Sequence, residues 1–98
     1  MYVRAYSRAV EYEWGPAKAA ANLKKHGVDF ADAASVLSDP LAATRDDDHP
    51  SEARRLTLGV DAIGRLLVVC YVRRGIKVRI ISARKATPHE RRQYEDQP

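Results

Sequence analysis

The sequence predicts an α+β domain, with two helices near the N-terminus, a small antiparallel sheet of about four strands and a C-terminal helix. Three observations carry this expectation. Apolar residues alternate with polar ones at Val10, Tyr12 and Trp14 and again at Leu56, Leu58 and Val60, the period of a half-buried strand. Between Pro16 and Leu37 the pattern changes to that of amphipathic helices. Thr87-Pro88-His89-Glu90 combines a Thr N-cap, Pro at the first helical position and Glu at the third, a capping box.

Taken in order, Val10 to Trp14 is the first strand, with Glu11 and Glu13 on a face that meets water. Pro16 opens a helix, because its missing N–H would have no partner in the first turn anyway, and Ala17 to His26 are mostly good helix formers. Gly27 stops it, and a Schellman ending would bring Leu23 against Val28. Asp29 caps a second helix, whose Phe30, Ala33, Ala34 and Leu37 form a buried stripe, and Asp39-Pro40 ends that helix. Trp14 and Phe30 are read as core anchors.

A short strand at 41–45 and an exposed polar loop at 46–51 follow. Leu56 to Val60 is the next strand, and Asp61 to Gly64 supplies a turn. Arg65 to Arg73, apolar between its ends, reads as a central strand covered on both faces. Arg74-Gly75 turns the chain into Lys77 to Ser82, an antiparallel partner. The last helix runs to about Glu95. With all helices on one sheet face, the other would be open to gather arginines from adjacent strands into a basic surface.

With 98 residues, the chain has room for one core. Cys70, the single cysteine, lies in an apolar run, which excludes an internal disulfide and a thiolate zinc site and suits a buried small hydrophobe. The first ten residues hold no signal-peptide core, so a cytoplasmic protein is expected.

Charge is segregated. The net charge is +4, yet residues 29 to 53 carry one basic residue and seven acids, whereas residues 54 to 92 carry eleven basic residues against Asp61 and Glu90. Twelve of the 17 basic residues are arginine, whose planar fork binds phosphate in a bidentate manner. A polyanion is the natural partner, most simply a nucleic acid.

Three stretches then resemble the BrnT family of toxins from type II toxin-antitoxin systems. They are Tyr12-Glu13-Trp14 leading into Lys18, Asn22 and Lys25-His26-Gly27-Val28; the Asp39-Pro40 pair; and 79–87 with Glu90, Arg91 and Tyr94. The resemblance covers roughly residues 11 to 95, read as one toxin domain between an N-terminal extension (1–10) and a short tail (96–98). It implies a compact RelE-like fold and RNA cleavage that halts growth. It also implies neutralisation by a ribbon-helix-helix antitoxin of the BrnA type, in a heterotetramer of two toxins and two antitoxins that represses its own operon, so that operator DNA is met only through the antitoxin. Gly15 departs from the family's usual Asp, a better N-cap.

Metal-free RNA cleavage, with no cofactor, must activate a 2′-hydroxyl, stabilise charge on a phosphorane and protonate the leaving oxygen. Lys25, His26, Arg54, Arg79 and Arg84 are the candidate catalytic residues, with His26 for proton transfer or for holding the phosphate. His26 equally suits a plain role beside the negative end of the helix dipole. Lys24, Arg74, Lys77, Lys85 and Tyr94 are the candidate RNA contacts. Salt bridging to Glu52, Glu90 or Asp61 is the competing role for the arginines, and parity puts Arg79 and Arg84 on opposite faces unless a bulge intervenes. Glu90 reads first as the capping-box carboxylate and Tyr94 as packing. The 46–49 acids and histidine lack the spacing of a calcium loop.

Overall fold

The computed structural model describes residues 3–7, 10–47 and 52–97, with side chains from residue 10 onward. The element order is β1 (Val3–Ser7), β2 (Val10–Trp14), α1 (Pro16–His26), α2 (Phe30–Val36), β3 (Ala43–Asp47), β4 (Arg54–Val60), β5 (Leu66–Arg74), β6 (Lys77–Lys85) and α3 (Pro88–Glu95). The α+β class and the three helices match the expectation. The sheet does not: the described strands form one six-stranded sheet, ordered β1-β2-β6-β5-β4-β3, and β2 runs parallel to β6. The sequence shows strands but not their order: α1 and α2 carry the chain from β2 to the far edge at β3, and the antiparallel run β3-β4-β5-β6 returns it to lie beside β2 in the parallel sense. Residues 3–7, within the expected N-terminal extension, supply an antiparallel edge strand.

The helices form as their ends dictate. Gly15 caps α1 without a side-chain bond, and Gly27 ends it at φ 69°. There the Gly27 N–H donates to the Leu23 carbonyl at 2.8 Å, the single-bond αL ending rather than the Schellman motif. Leu23 is correspondingly half exposed, while Val28 is buried in the core. Asp29 caps α2 through the Ala31 N–H, and Thr87 and Glu90 complete the capping box of α3. β3 begins at Ala43, two residues later than expected, and takes in Asp46 and Asp47; the rest of the predicted loop, 48–51, lies outside the described residues.

The core lies between α1 and α2 and one sheet face. Tyr12 and Trp14 of β2, Leu67, Val69 and Tyr71 of β5, and Val78, Ile80 and Ala83 of β6 pack there with Val28, Phe30, Ala33, Ala34 and Val36. Trp14 meets Phe30 edge to face, with centroids 6.2 Å apart, so both are the anchors expected. Buried Asn22 locks α1 to β6: its amide donates to the Ala83 and Val28 carbonyls and accepts from the Ala83 N–H. α2 approaches β4 closely at Gly59, where a Cβ would fall 3.0 Å from Val36 and 3.1 Å from Ala42 and Asp39.

α3 corrects the expectation that all helices share one face. Glu90 and Gln93 line a crevice with Leu56, Leu58 and Val68, and strand register puts those three on the face opposite the core. Asp39 secures the far end of α3, accepting from the Tyr94 hydroxyl at 2.6 Å and from the Val60 and Leu41 N–H groups. Burial alone would raise the Asp39 carboxyl, but these three donors outweigh it and hold the carboxyl below its usual range.

Candidate active site

The second face is charged because of register. Residues directly opposite one another on paired strands share a face. One such row crosses the sheet from Asp47 on β3 to Arg54 on β4, Val72 on β5, Arg79 on β6 and Glu13 on β2. Arg54 and Arg79 flank Val72, with Cα atoms about 10 Å apart at two strand spacings. Arg74 and Lys77, a cross-strand pair beside the hairpin turn, stand one step further on the same face and are exposed.

A bulge decides the position of Arg84. The register of β5 on β6 shifts between Cys70 and Tyr71, so that Cys70 opposes Ser82 while Tyr71 opposes Ile80. The extra residue reverses the parity of everything after it. Arg84 therefore joins Arg79 and Arg54 on the second face, opposite Val68. These three candidate arginines share one side of the sheet.

Each of them is also bonded to a carboxylate. Arg54 Nε donates to Glu52 at 2.8 Å and Arg79 Nε to Glu13 at 3.2 Å. Arg84 forms a bidentate pair with Glu90 at 2.8 and 2.9 Å. The Arg84 bonds, with help from the Thr87 backbone, lower the Glu90 carboxyl to about 2. Glu11 and Glu13 are buried, which corrects the water-facing expectation. Beside this row a cavity of about 440 Å³ is lined by Glu52, Arg79 and Ile81 together with Gly15, Pro16 and Lys18 at the start of α1. Glu13 was not among the sequence candidates, because the alternation made it look solvent-facing; Glu52 was named only as an ion-pair partner for the arginines, and only the fold brings it beside Arg79.

The remaining candidates lie elsewhere. Lys24, Lys25 and His26 form the last turn of α1, about 15 Å along the helix from Pro16 at 1.5 Å per residue. The Arg65 guanidinium donates to the Gly27 carbonyl at 3.2 Å, which places that turn at the start of β5, the opposite end from Arg54 and Arg79. His26 is half-buried and Lys24 and Lys25 are exposed. Lys85 opposes Leu67 on the core side, and the Tyr94 hydroxyl is engaged by Asp39. Cys70 is buried, and burial pushes its thiol up, away from nucleophile chemistry. No cluster of histidine, cysteine and acid with metal-ligand geometry occurs among the described residues, and none of their helices is long and apolar enough to cross a membrane.

An α+β domain that sets arginines and carboxylates beside a cavity on one sheet face belongs among proteins equipped to handle a phosphodiester. The comparisons narrow the class. The model of the ribonuclease toxin BrnT of type II toxin-antitoxin systems matches residues 14–90, and the chain belongs to this family. Its fold is similar to the crystal structure of the Brucella abortus ribonuclease toxin BrnT. The TM-score is 0.56 and the identity 26%, over 76% of this chain and 92% of that one. No curated protein matches the sequence. The family match begins at Trp14, so β1 and most of β2 precede it.

Proposed function

We propose that the chain cleaves RNA on the second sheet face, by metal-independent attack of a 2′-hydroxyl on the adjacent phosphate. The observation that carries this reading is the cavity where Glu52 and Arg79 meet, with Arg54 bonded to Glu52 at its edge. Glu52 accepts the 2′-hydroxyl proton. The freed 2′-oxygen bonds to phosphorus, and the 5′-oxygen leaves with a proton from Lys18 or water. Arg79 and Arg54 hold the non-bridging oxygens as charge builds on the phosphorane. Glu13 orients Arg79, while Arg74 and Lys77 hold flanking phosphates. Glu52 thus takes the proton-transfer role that the sequence assigns to His26, while Lys25 and His26 serve binding or helix stability.

The family supports the wider setting. The antitoxin is of the BrnA ribbon-helix-helix type, binds two toxins through its dimer in the cytoplasm, prevents growth arrest and carries the complex to its operator. Purified chain should degrade RNA in the presence of EDTA, and Arg79→Ala should lower the rate at least 100-fold. Intact RNA after long incubation, together with salt-sensitive binding, would instead select a non-catalytic binding module. The three arginine–carboxylate pairs favour that second reading, because the cations are already neutralised in the free protein.

A further inference from the structure

A second cavity, of about 270 Å³, opens on the core side of the sheet, past the C-terminal end of α2 and at the edge of the apolar cluster, whose Tyr12, Tyr71 and Val78 line it. Its lining mixes polar and apolar groups: Tyr12, Tyr71, Thr44 and Thr57 contribute hydroxyls, with Arg73 and Asp39, beside aliphatic side chains. Tyr12, Tyr71 and Thr57 are more than nine-tenths buried. The hydroxyls form a chain, Thr44 to Thr57 at 2.8 Å and Thr57 to Tyr71 at 2.9 Å, so their orientation is held by the protein. Arg73 is exposed and lies near enough to Tyr12 for its charge to lower that phenol's pKa, against the larger effect of burial. Among the described residues, Arg73 has no carboxylate partner, unlike Arg54, Arg79 and Arg84. The Asp39 carboxylate, kept ionised by the Tyr94 hydroxyl and the Val60 and Leu41 N–H groups, is also in the lining, so an anionic group would be favoured at the Arg73 side of the cavity and disfavoured beside Asp39.

The hairpin between β5 and β6 joins this cavity to the site above. Arg74 and Lys77 lie on the second face, and Arg73 lies on the core face, opposite Val78. Cations therefore wrap around one end of the sheet, one residue step apart. We propose that the Arg73 cavity is a ribonucleotide subsite. RNA leaving the cleavage face would cross the hairpin and place one phosphate on Arg73 and its 2′-hydroxyl among Tyr71, Thr57 and Thr44. A hydroxyl-lined pocket gated by one guanidinium suits a ribose phosphate, and the 2′-hydroxyl is the group by which a protein distinguishes RNA from DNA. This inference rests on the reading of the second face as the RNA-cleaving site.

The test compares wild type with Arg73→Gln and Tyr71→Phe. Binding of a 12-nucleotide RNA and its DNA counterpart is measured by fluorescence anisotropy over a salt series, and cleavage is measured on the 12-mer and on a dinucleotide. Arg73→Gln should weaken RNA binding by three- to tenfold and reduce the salt slope by about 0.7, the loss of one phosphate contact on a single strand. Tyr71→Phe should narrow the preference for RNA over DNA, and neither variant should alter dinucleotide cleavage. Unchanged RNA affinity and salt slope in Arg73→Gln would overturn the subsite, and so would weakened dinucleotide cleavage. The second-face reading fails separately, if wild type cleaves neither substrate while still binding RNA through Arg73.

Discussion

The two faces of the sheet are built from the same strands by opposite means. On the core face, β2, β5 and β6 present Tyr12, Trp14, Leu67, Val69, Val78 and Ile80 to two helices, and apolar burial holds the layer together. On the other face, the alternate residues are Glu13 on β2 and Arg79 and Arg84 on β6, held by ion pairs around the buried Val68, Cys70 and Val72 of β5, and a helix with no buried residue covers one end. Stability is concentrated on the first face, and chemistry is proposed on the second. A strand's period of two allows one segment to serve both, because substitutions on one face leave the other's contacts largely intact.

The largest effect that would sharpen this contrast is on catalysis. Glu52→Gln should lower RNA cleavage by about 10²- to 10⁴-fold, the range for losing a general base, while leaving the melting temperature within a few degrees. An unchanged rate would remove Glu52 from the mechanism. On the other face, Phe30→Ala should cost about 3–5 kcal/mol in urea unfolding, since Phe30 is fully buried and its loss leaves a cavity against Trp14. A cost under about 1 kcal/mol would show that the core is not where stability resides.

A pH effect should follow at the α3 end. The folded Glu90 carboxyl sits at about 2 against an ordinary 4.5. A folded value below the unfolded one means that the Arg84–Glu90 contribution is complete above the ordinary value and is lost as pH falls from about 4.5 towards 2. Protection of the α3 amides, their exchange corrected for the intrinsic pH dependence, should fall across that window in wild type. Glu90→Gln should show lower protection at neutral pH and lose the fall across the window; a parallel protection profile in both would place the titration elsewhere. The smallest expected effect is that of His26→Ala, less than about threefold on cleavage, because α1 carries His26 to the far end of the sheet. A 100-fold loss would restore the sequence assignment and move the site to the end of α1.

Much of the fold was legible locally. Pro16, Gly27, Asp29 and the Thr87–Glu90 box marked helix ends with side chains and backbone needs that act within a few residues. The run through β5 announced burial on both faces, and Leu66 to Val72 is buried throughout. The candidate site was legible only as residue types. Arg54, Arg79 and Arg84 were singled out from sequence, but strand parity alone separated Arg79 from Arg84, and the β6 bulge reunited them. Glu13 gave no local signal, since a carboxylate beside a guanidinium 66 residues away in sequence is a product of strand order, whereas Glu52 and Glu90 were legible as ion-pair partners of nearby arginines.

By itself, the sequence determined the helix boundaries, the apolar stripes and the abundance of arginine in the second half, because capping, periodicity and charge are properties of neighbours along the chain. Tertiary structure alone decided the parallel β2–β6 pair, the placement of α3 on the second face and the meeting of Arg79 with Glu13. Those depend on which strands lie side by side and on a one-residue slip in register, and neither is specified by a residue's own neighbours.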